Sequence, residues 1–272
     1  MLKEKDEIME NETPNQLPKM SMAGYENAWF YIQSLDYSDK DKILYLEQQL
    51  YNLLQQNPED CNLLALLMHE QIMNNRGQRA RSIAYKIWDL GGEIAPEIEK
   101  MYIDDLINLG LSDMAGTALS WYIGEIENSV RSYGDILVKY AVFVGNMSLL
   151  ERILAYMPDD KRHNTLRDWI ELNEEVHASN HIAPVMRRIL ENVSDAMLGF
   201  SFNVYTDRDV PDIEFVFYVD DSITNYTELK ETIYIQISTY CAAHKIVDLR
   251  NLNVAFYPLI KHPRQDLWLA PL

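Results

Sequence analysis

Residues 61–156 read CNLLALLMHEQIMNNRGQRARSIAYKIWDLGGEIAPEIEKMYIDDLINLGLSDMAGTALSWYIGEIENSVRSYGDILVKYAVFVGNMSLLERILAY, and the way this stretch repeats decides the fold. Gly77, Gly110 and Gly145 each close an apolar helical run, at spacings of 110 − 77 = 33 and 145 − 110 = 35 residues. Eleven residues after each glycine stands a large aromatic: Trp88, Trp121 and Tyr156. A turn between two amphipathic segments, recurring about every 34 residues, is the pattern of an α-helical repeat solenoid. Equivalent positions in stacked repeats pack against the next repeat, so the three aromatics are expected in the core.

Working outward, Ala23 to Leu35 reads as a first helix, and Ser38 or Asp39 caps a second that carries Ile43, Leu46, Leu50, Leu53 and Leu54 on one stripe. Pro58 starts the next, since a first-turn proline lacks an N–H that would be unsatisfied anyway. Gly91-Gly92 stops the helix from Gln78, Pro96 opens the following pair, and Pro158 ends the helix from Leu149. A further pair fits Lys161–His177 and Ala183–Leu198, with a turn near Ser179 and Pro184 at a helix start. The expectation is five pairs, ten helices, over residues 23–198.

After Gly199 the apolar period changes from 3.6 to 2. Phe200–Thr206 and Ile213–Asp220 read as strands joined by the turn-rich segment from Asp207 to Asp212. Asn225 with Glu228 forms a capping box for a helix to about His244, although Ile233, Ile235 and Ile237 alternate as a strand would. Leu252–Leu259 completes a small α+β unit of β-β-α-β order over residues 199–272, ending in an irregular segment with Trp268, Leu269 and Leu272. Residues 1–22, charged and holding Pro14 and Pro18, read as a disordered acidic tail. The fold class is therefore mainly α, a repeat solenoid followed by a small α+β domain.

Pro58, Gly77, Trp88, Gly110, Trp121, Gly145, Tyr156 and Pro158 give residues 24–198 a period and turn pattern that resembles the tetratricopeptide-repeat group of helical solenoids. The Leu-Gly-x-x-Tyr element of that group's first helix is absent. The alanine early in its second helix is present as Ala115 but replaced by Ser82 and Leu150. The resemblance implies helix-pair architecture and protein binding, and no peptide-clamp residue carries over. Residues 199–272 resemble no family.

The net charge is −18. Residues 199–272 hold six Lys/Arg and ten Asp/Glu, 6 − 10 = −4, which leaves −14 on the first 198. So acidic a chain repels nucleic acid, whose phosphates need lysine and arginine; the charge reads first as a device for solubility, and the sharper alternative is a basic protein partner or mimicry of nucleic acid. Met1–Leu17 has acids throughout and no apolar run, which predicts no secretory leader, and no stretch approaches eighteen apolar residues. Cys61 and Cys241, 180 apart without a C-x-x-C, fit reduced thiols in a cytoplasmic protein.

Candidate chemistry is sparse. His177 and His181 after Glu174-Glu175 have the i, i+4 spacing of a helical zinc pair, but the expected turn falls between them. Asp220-Asp221 at a strand end has the donors for Mg²⁺ but no glycine-rich or basic loop to receive a phosphate, and reads better as a capping loop. Cys61 and Cys241 sit in apolar surroundings that make a thiol inert. With no catalytic, cofactor or metal motif, no enzyme, cofactor or metal is expected.

Strand alternation puts Phe202, Val204, Ile213, Phe215, Phe217, Val219, Leu252, Val254 and Phe256 on one parity, expected to pack under the small domain's helix. The other parity carries Tyr205, Tyr218 and Tyr257 with Asn203, Val216 and Ala255. A water-facing sheet should be polar, so this tyrosine face is expected to be covered by the solenoid or by a partner, and the three tyrosines are the candidate partner-binding residues. The leading functional expectation is a non-catalytic adaptor or scaffold. The alternatives are an acidic inhibitor or immunity protein blocking a nucleic-acid-binding enzyme and, more weakly, a metal-dependent hydrolase on the small domain.

Overall fold

Asp60 accepts hydrogen bonds from the backbone N–H groups of Asn62 and Leu63 at 2.9 and 3.1 Å, and from this cap starts the helix α3, Cys61–Met73. The computed structural model describes residues 25–35, 39–175, 178–206, 212–246 and 252–259. The tail, His177, the connection at 207–211 and the segment from Pro263 lie outside the described residues. The chain is mostly helical. Before α3 come α1 (Tyr25–Gln33) and α2 (Lys40–Gln56). After it follow α4 (Gly77–Leu90), α5 (Pro96–Asn108), α6 (Ser112–Gly124), α7 (Ile126–Phe143), α8 (Met147–Leu154), α9 (Lys161–Glu175) and α10 (Ser179–Val193). α3, α5 and α7 each pack on the helix that follows in sequence, and they also pack on one another in turn.

One helix-ending turn recurs. The N–H groups of Arg76, Leu111 and Asn146 donate to the carbonyls of Gln71, Leu106 and Ala141 at 2.8, 2.9 and 2.9 Å. The residue before each donor is left-handed: Asn75 at φ 60°, Gly110 at 77° and Gly145 at 68°. The true register is thus Asn75, Gly110, Gly145, with spacings 110 − 75 = 35 and 145 − 110 = 35. Gly77, expected in the turn, is instead the buried first residue of α4. A Cβ there would stand 2.9 Å from both Arg81 and Leu198. Ala178 makes the equivalent bond to Asn173 after α9, at 2.7 Å. Pro184 is not at a helix start: α10 begins at Ser179, so the proline sits in its second turn and removes one donor to the carbonyl four residues back.

β1 (Met197–Tyr205) pairs antiparallel with β2 (Asp212–Val219), and β2 pairs parallel with β3 (Leu252–Pro258). Between β2 and β3 runs the helix α11 (Tyr226–Ala243), capped as the sequence indicates by Asn225, whose side chain accepts from Glu228 N–H at 3.1 Å. Ile233 and Ile237, one turn apart, are buried while Ile235 is 66% exposed, which is helical and not strand periodicity. The β-β-α-β order is as expected.

The phenylalanine face of the sheet, expected under α11, meets the long helical array. Phe200 packs on Phe143 of α7 with ring centroids 5.0 Å apart, and Phe215 on Trp169 of α9 at 6.5 Å. β1 crosses α5, α7 and α9, while α11 lies along α10 and against β3. One apolar core therefore runs from Ala28 to Leu259.

Buried and half-buried polar side chains fix this docking. His69, Asp104 and Lys139 are spaced 35 and 35 apart, one position in α3, α5 and α7. Lys139 is hydrogen-bonded to Asp104 and donates to Asn108 Oδ1 at 2.9 Å. The same Asn108 oxygen accepts Phe200 N–H at 3.1 Å, tying α5 to β1. His69 Nδ1 is bonded to the buried Asp105 at 2.8 Å, joining α3 to α5. From α4, the Arg81 guanidinium donates to the carbonyls of Ser194 and Met197, the latter at 2.6 Å, and so clamps the entrance to β1.

Candidate functional site

Alternation in β1, β2 and β3 brings Tyr205, Tyr218 and Tyr257 to one sheet face, as the sequence indicates. Tyr218 and Tyr257 stand opposite each other across β2 and β3. Tyr218 also lies over Gly199, where a Cβ would be 3.0 Å from its ring. Tyr205 Oη and Asn203 Nδ2 both donate to Glu214 Oε2, at 2.9 and 3.0 Å. Burial, then the charge of Glu214 and the neighbouring Tyr218, pushes the Tyr257 phenol above its usual value. Glu214 is thus the anchor of the cluster. Its parity, two residues before Val216, places it on this face, but a single carboxylate among aromatics gives no motif that singles it out in the sequence. The face is only partly open to water: Val216, Tyr218 and Ala255 are buried, Tyr205 and Tyr257 are half-buried, and Asn253 at its edge is exposed.

The aromatic column behaves otherwise. Trp88, Trp121 and Tyr156, expected in the core, are 46%, 65% and 51% exposed. The buried stripes of α4 and α6 are formed by Ala80, Ala84 and Ile87, and by Met114, Ala115 and Leu119. One or two residues beyond such a stripe, at 100° per residue, a side chain points away from the neighbouring helix. With the turns 35 residues apart, Trp121 and Tyr156 are equivalent while Trp88 stands two residues out of register, and the small-residue stripe decides which side packs. Tyr85 of α4 is exposed too. Trp121 contacts Tyr122 edge-on at 5.1 Å, and Tyr122 stacks on Tyr133 at 3.9 Å. Both phenols donate to Glu99 Oε2, at 2.7 and 2.5 Å, and burial, followed by these bonds, raises both their pKa values.

The other candidates resolve into structural contacts. Asp220 accepts from the N–H of Ser222 at 2.9 Å and from its hydroxyl, a local turn ahead of α11. His181 meets Tyr240 Oη at 2.9 Å, and its ring lies 5.6 Å from that of His244, while the Arg188 guanidinium sits 4.1 Å from the Tyr240 ring. This cluster joins α10 to α11. Among the described residues no three His, Cys, Asp or Glu side chains form a metal-binding group. Cys61 is buried, and burial raises its thiol pKa, while Cys241 is half-buried. Among the described residues no helix is long and apolar enough to cross a membrane. The chain matches no protein-family model, no curated protein and no solved structure.

Proposed function

We propose that this chain is a non-catalytic protein-binding adaptor, built as a tetratricopeptide-repeat-like solenoid whose outer helices hold a partner. The observation that carries the reading is the outward row on α4, on α6 and in the turn after α8: Tyr85, Trp88, Trp121 and Tyr156 are all exposed, and Trp121 and Tyr156 are equivalent at the 35-residue spacing. Tryptophan and tyrosine are the side chains most often found as anchors of interfaces, since each adds a large ring at low conformational cost. The inner side, where α5, α7 and α9 would otherwise offer a groove, is filled by β1. A partner therefore approaches from outside, and the net charge of −18 suits one that is basic.

The test is affinity capture from native lysate with the parent and the double variant Trp121→Ser, Tyr156→Ser, paired with thermal melting. Both side chains are exposed, so melting should be unchanged while the captured partner is lost. A parent that captures no protein, or a double variant that captures the same protein equally well, would overturn the proposal.

A further inference from the structure

A second surface lies on the outer side, where α2 and α4 flank α3. The groove there has a volume of about 550 Å³, within the range of ligand-sized clefts. Its floor is apolar, formed by Leu54, Leu64 and Leu67, and Tyr51 stands 43% exposed at its wall. Its charge is opposite to that of the molecule. The chain has 42 Asp and Glu, yet none of the eleven residues lining this groove is acidic, and two of them are Arg79 and Lys86.

The local sequence explains the reversal. Residues 71–88 contain Arg76, Arg79, Arg81 and Lys86 and no acid. Two of these cations are committed: Arg76 pairs with Glu47 at 2.6 Å, and Arg81 is buried on the carbonyls before β1. Arg79 is exposed and has no ion pair among the described residues. Lys86 donates one proton to the Pro58 carbonyl at 2.7 Å, which holds its ammonium at the groove's edge with two donors to spare.

We propose that this groove is a docking site for an acidic peptide segment of a partner protein, with apolar side chains seated on Leu54, Leu64 and Leu67 and carboxylates met by Arg79 and Lys86. An apolar floor beneath a cationic rim matches an amphipathic segment with both features. The far field of an acidic chain disfavours any anionic ligand, so contact pairs at the rim and apolar anchors in the floor are both required. The inference deepens the adaptor reading, since it gives the molecule a second surface of different chemistry from the aromatic row.

The test is selection of a random 16-residue peptide library, displayed on phage, against the full chain. The enriched peptides are then measured by fluorescence anisotropy on the parent, Arg79→Glu and Lys86→Gln. The expected result is enrichment of peptides combining Asp or Glu with Leu, Ile or Phe, binding at least tenfold more weakly to Arg79→Glu, whose melting matches the parent. Lys86→Gln should give a smaller loss, which separates loss of contact from any change in folding. No enrichment, enrichment of basic or uncharged peptides, or acidic peptides that bind Arg79→Glu as well as the parent would each overturn the proposal. A parent dimer in sedimentation velocity that dissociates in Arg79→Glu would assign the groove to a second copy and also overturn it. The outer-aromatic capture experiment uses other residues, so either idea can fail without the other.

Discussion

Glu70 is fully buried in α3, beside Glu47, and accepts from Gln71 Nε2 at 2.5 Å and from Asn74. Burial, and after it the charge of Glu47, raises its pKa from 4.5 to about 8. A carboxyl that holds its proton more tightly when folded lowers stability as pH rises. Between about pH 5 and pH 8 the folded state binds the extra proton, so stability falls across that window, by on the order of a few kcal/mol. Glu70→Gln should remove the loss. The variant should melt near the parent at about pH 5 and clearly above it at about pH 8.5, which thermal melting across pH would check. Gly145 offers a second test at this scale. A Cβ there would lie 2.6 Å from the Ala183 Cα, on top of the penalty for φ 68°, whereas at Gly91, with φ 60°, it would meet nothing within 4 Å. Gly91→Ala should cost about 1–2 kcal/mol from backbone strain alone. Gly145→Ala should cost at least twice that in urea denaturation, because the atoms it meets are backbone and cannot rotate aside.

Among the elements, the most revealing contact is Arg81 with the carbonyls of Ser194 and Met197, which joins positions more than a hundred residues apart. Arg81→Met keeps the apolar stem and strands two carbonyls. It should destabilise the fold by about 2–4 kcal/mol and speed amide exchange across β1 more than across α7. Such pins were illegible in the sequence, because no local pattern pairs an arginine with a distant carbonyl. The ten helices before the sheet were legible because amphipathic spacing and proline or glycine stops are local, and Asn225 with Glu228 announced α11 for the same reason. Parity grouped the three tyrosines correctly but could not say which layer each sheet face meets, since phenylalanine and tyrosine faces are both apolar enough to be buried. Nor could a glycine count reveal that Asn75 takes the left-handed turn and leaves Gly77 to the close approach of Leu198. Tyr218 tests the tyrosine face as an element. At 8% exposure, Tyr218→Ala should cost about 3 kcal/mol by denaturant unfolding, and the half-buried Tyr257→Ala less.

At the scale of the whole molecule, 42 acids against 24 cations make self-repulsion a standing term. Raising salt from about 10 to about 150 mM shortens the screening length from roughly 30 to 8 Å, so the melting temperature should rise over that interval. Duplex DNA should not be retained in a gel-shift assay at the higher salt, since of the four cations in residues 71–88 two are already committed. The docking of β1 across α5, α7 and α9 also has a history in time. A ribosome delivers those helices before any strand exists, so Phe143 and Trp169 emerge without Phe200 and Phe215 to cover them. Until residues 197–259 have been synthesised, the nascent chain carries a sticky flank, and it is in this interval that a chaperone would be needed.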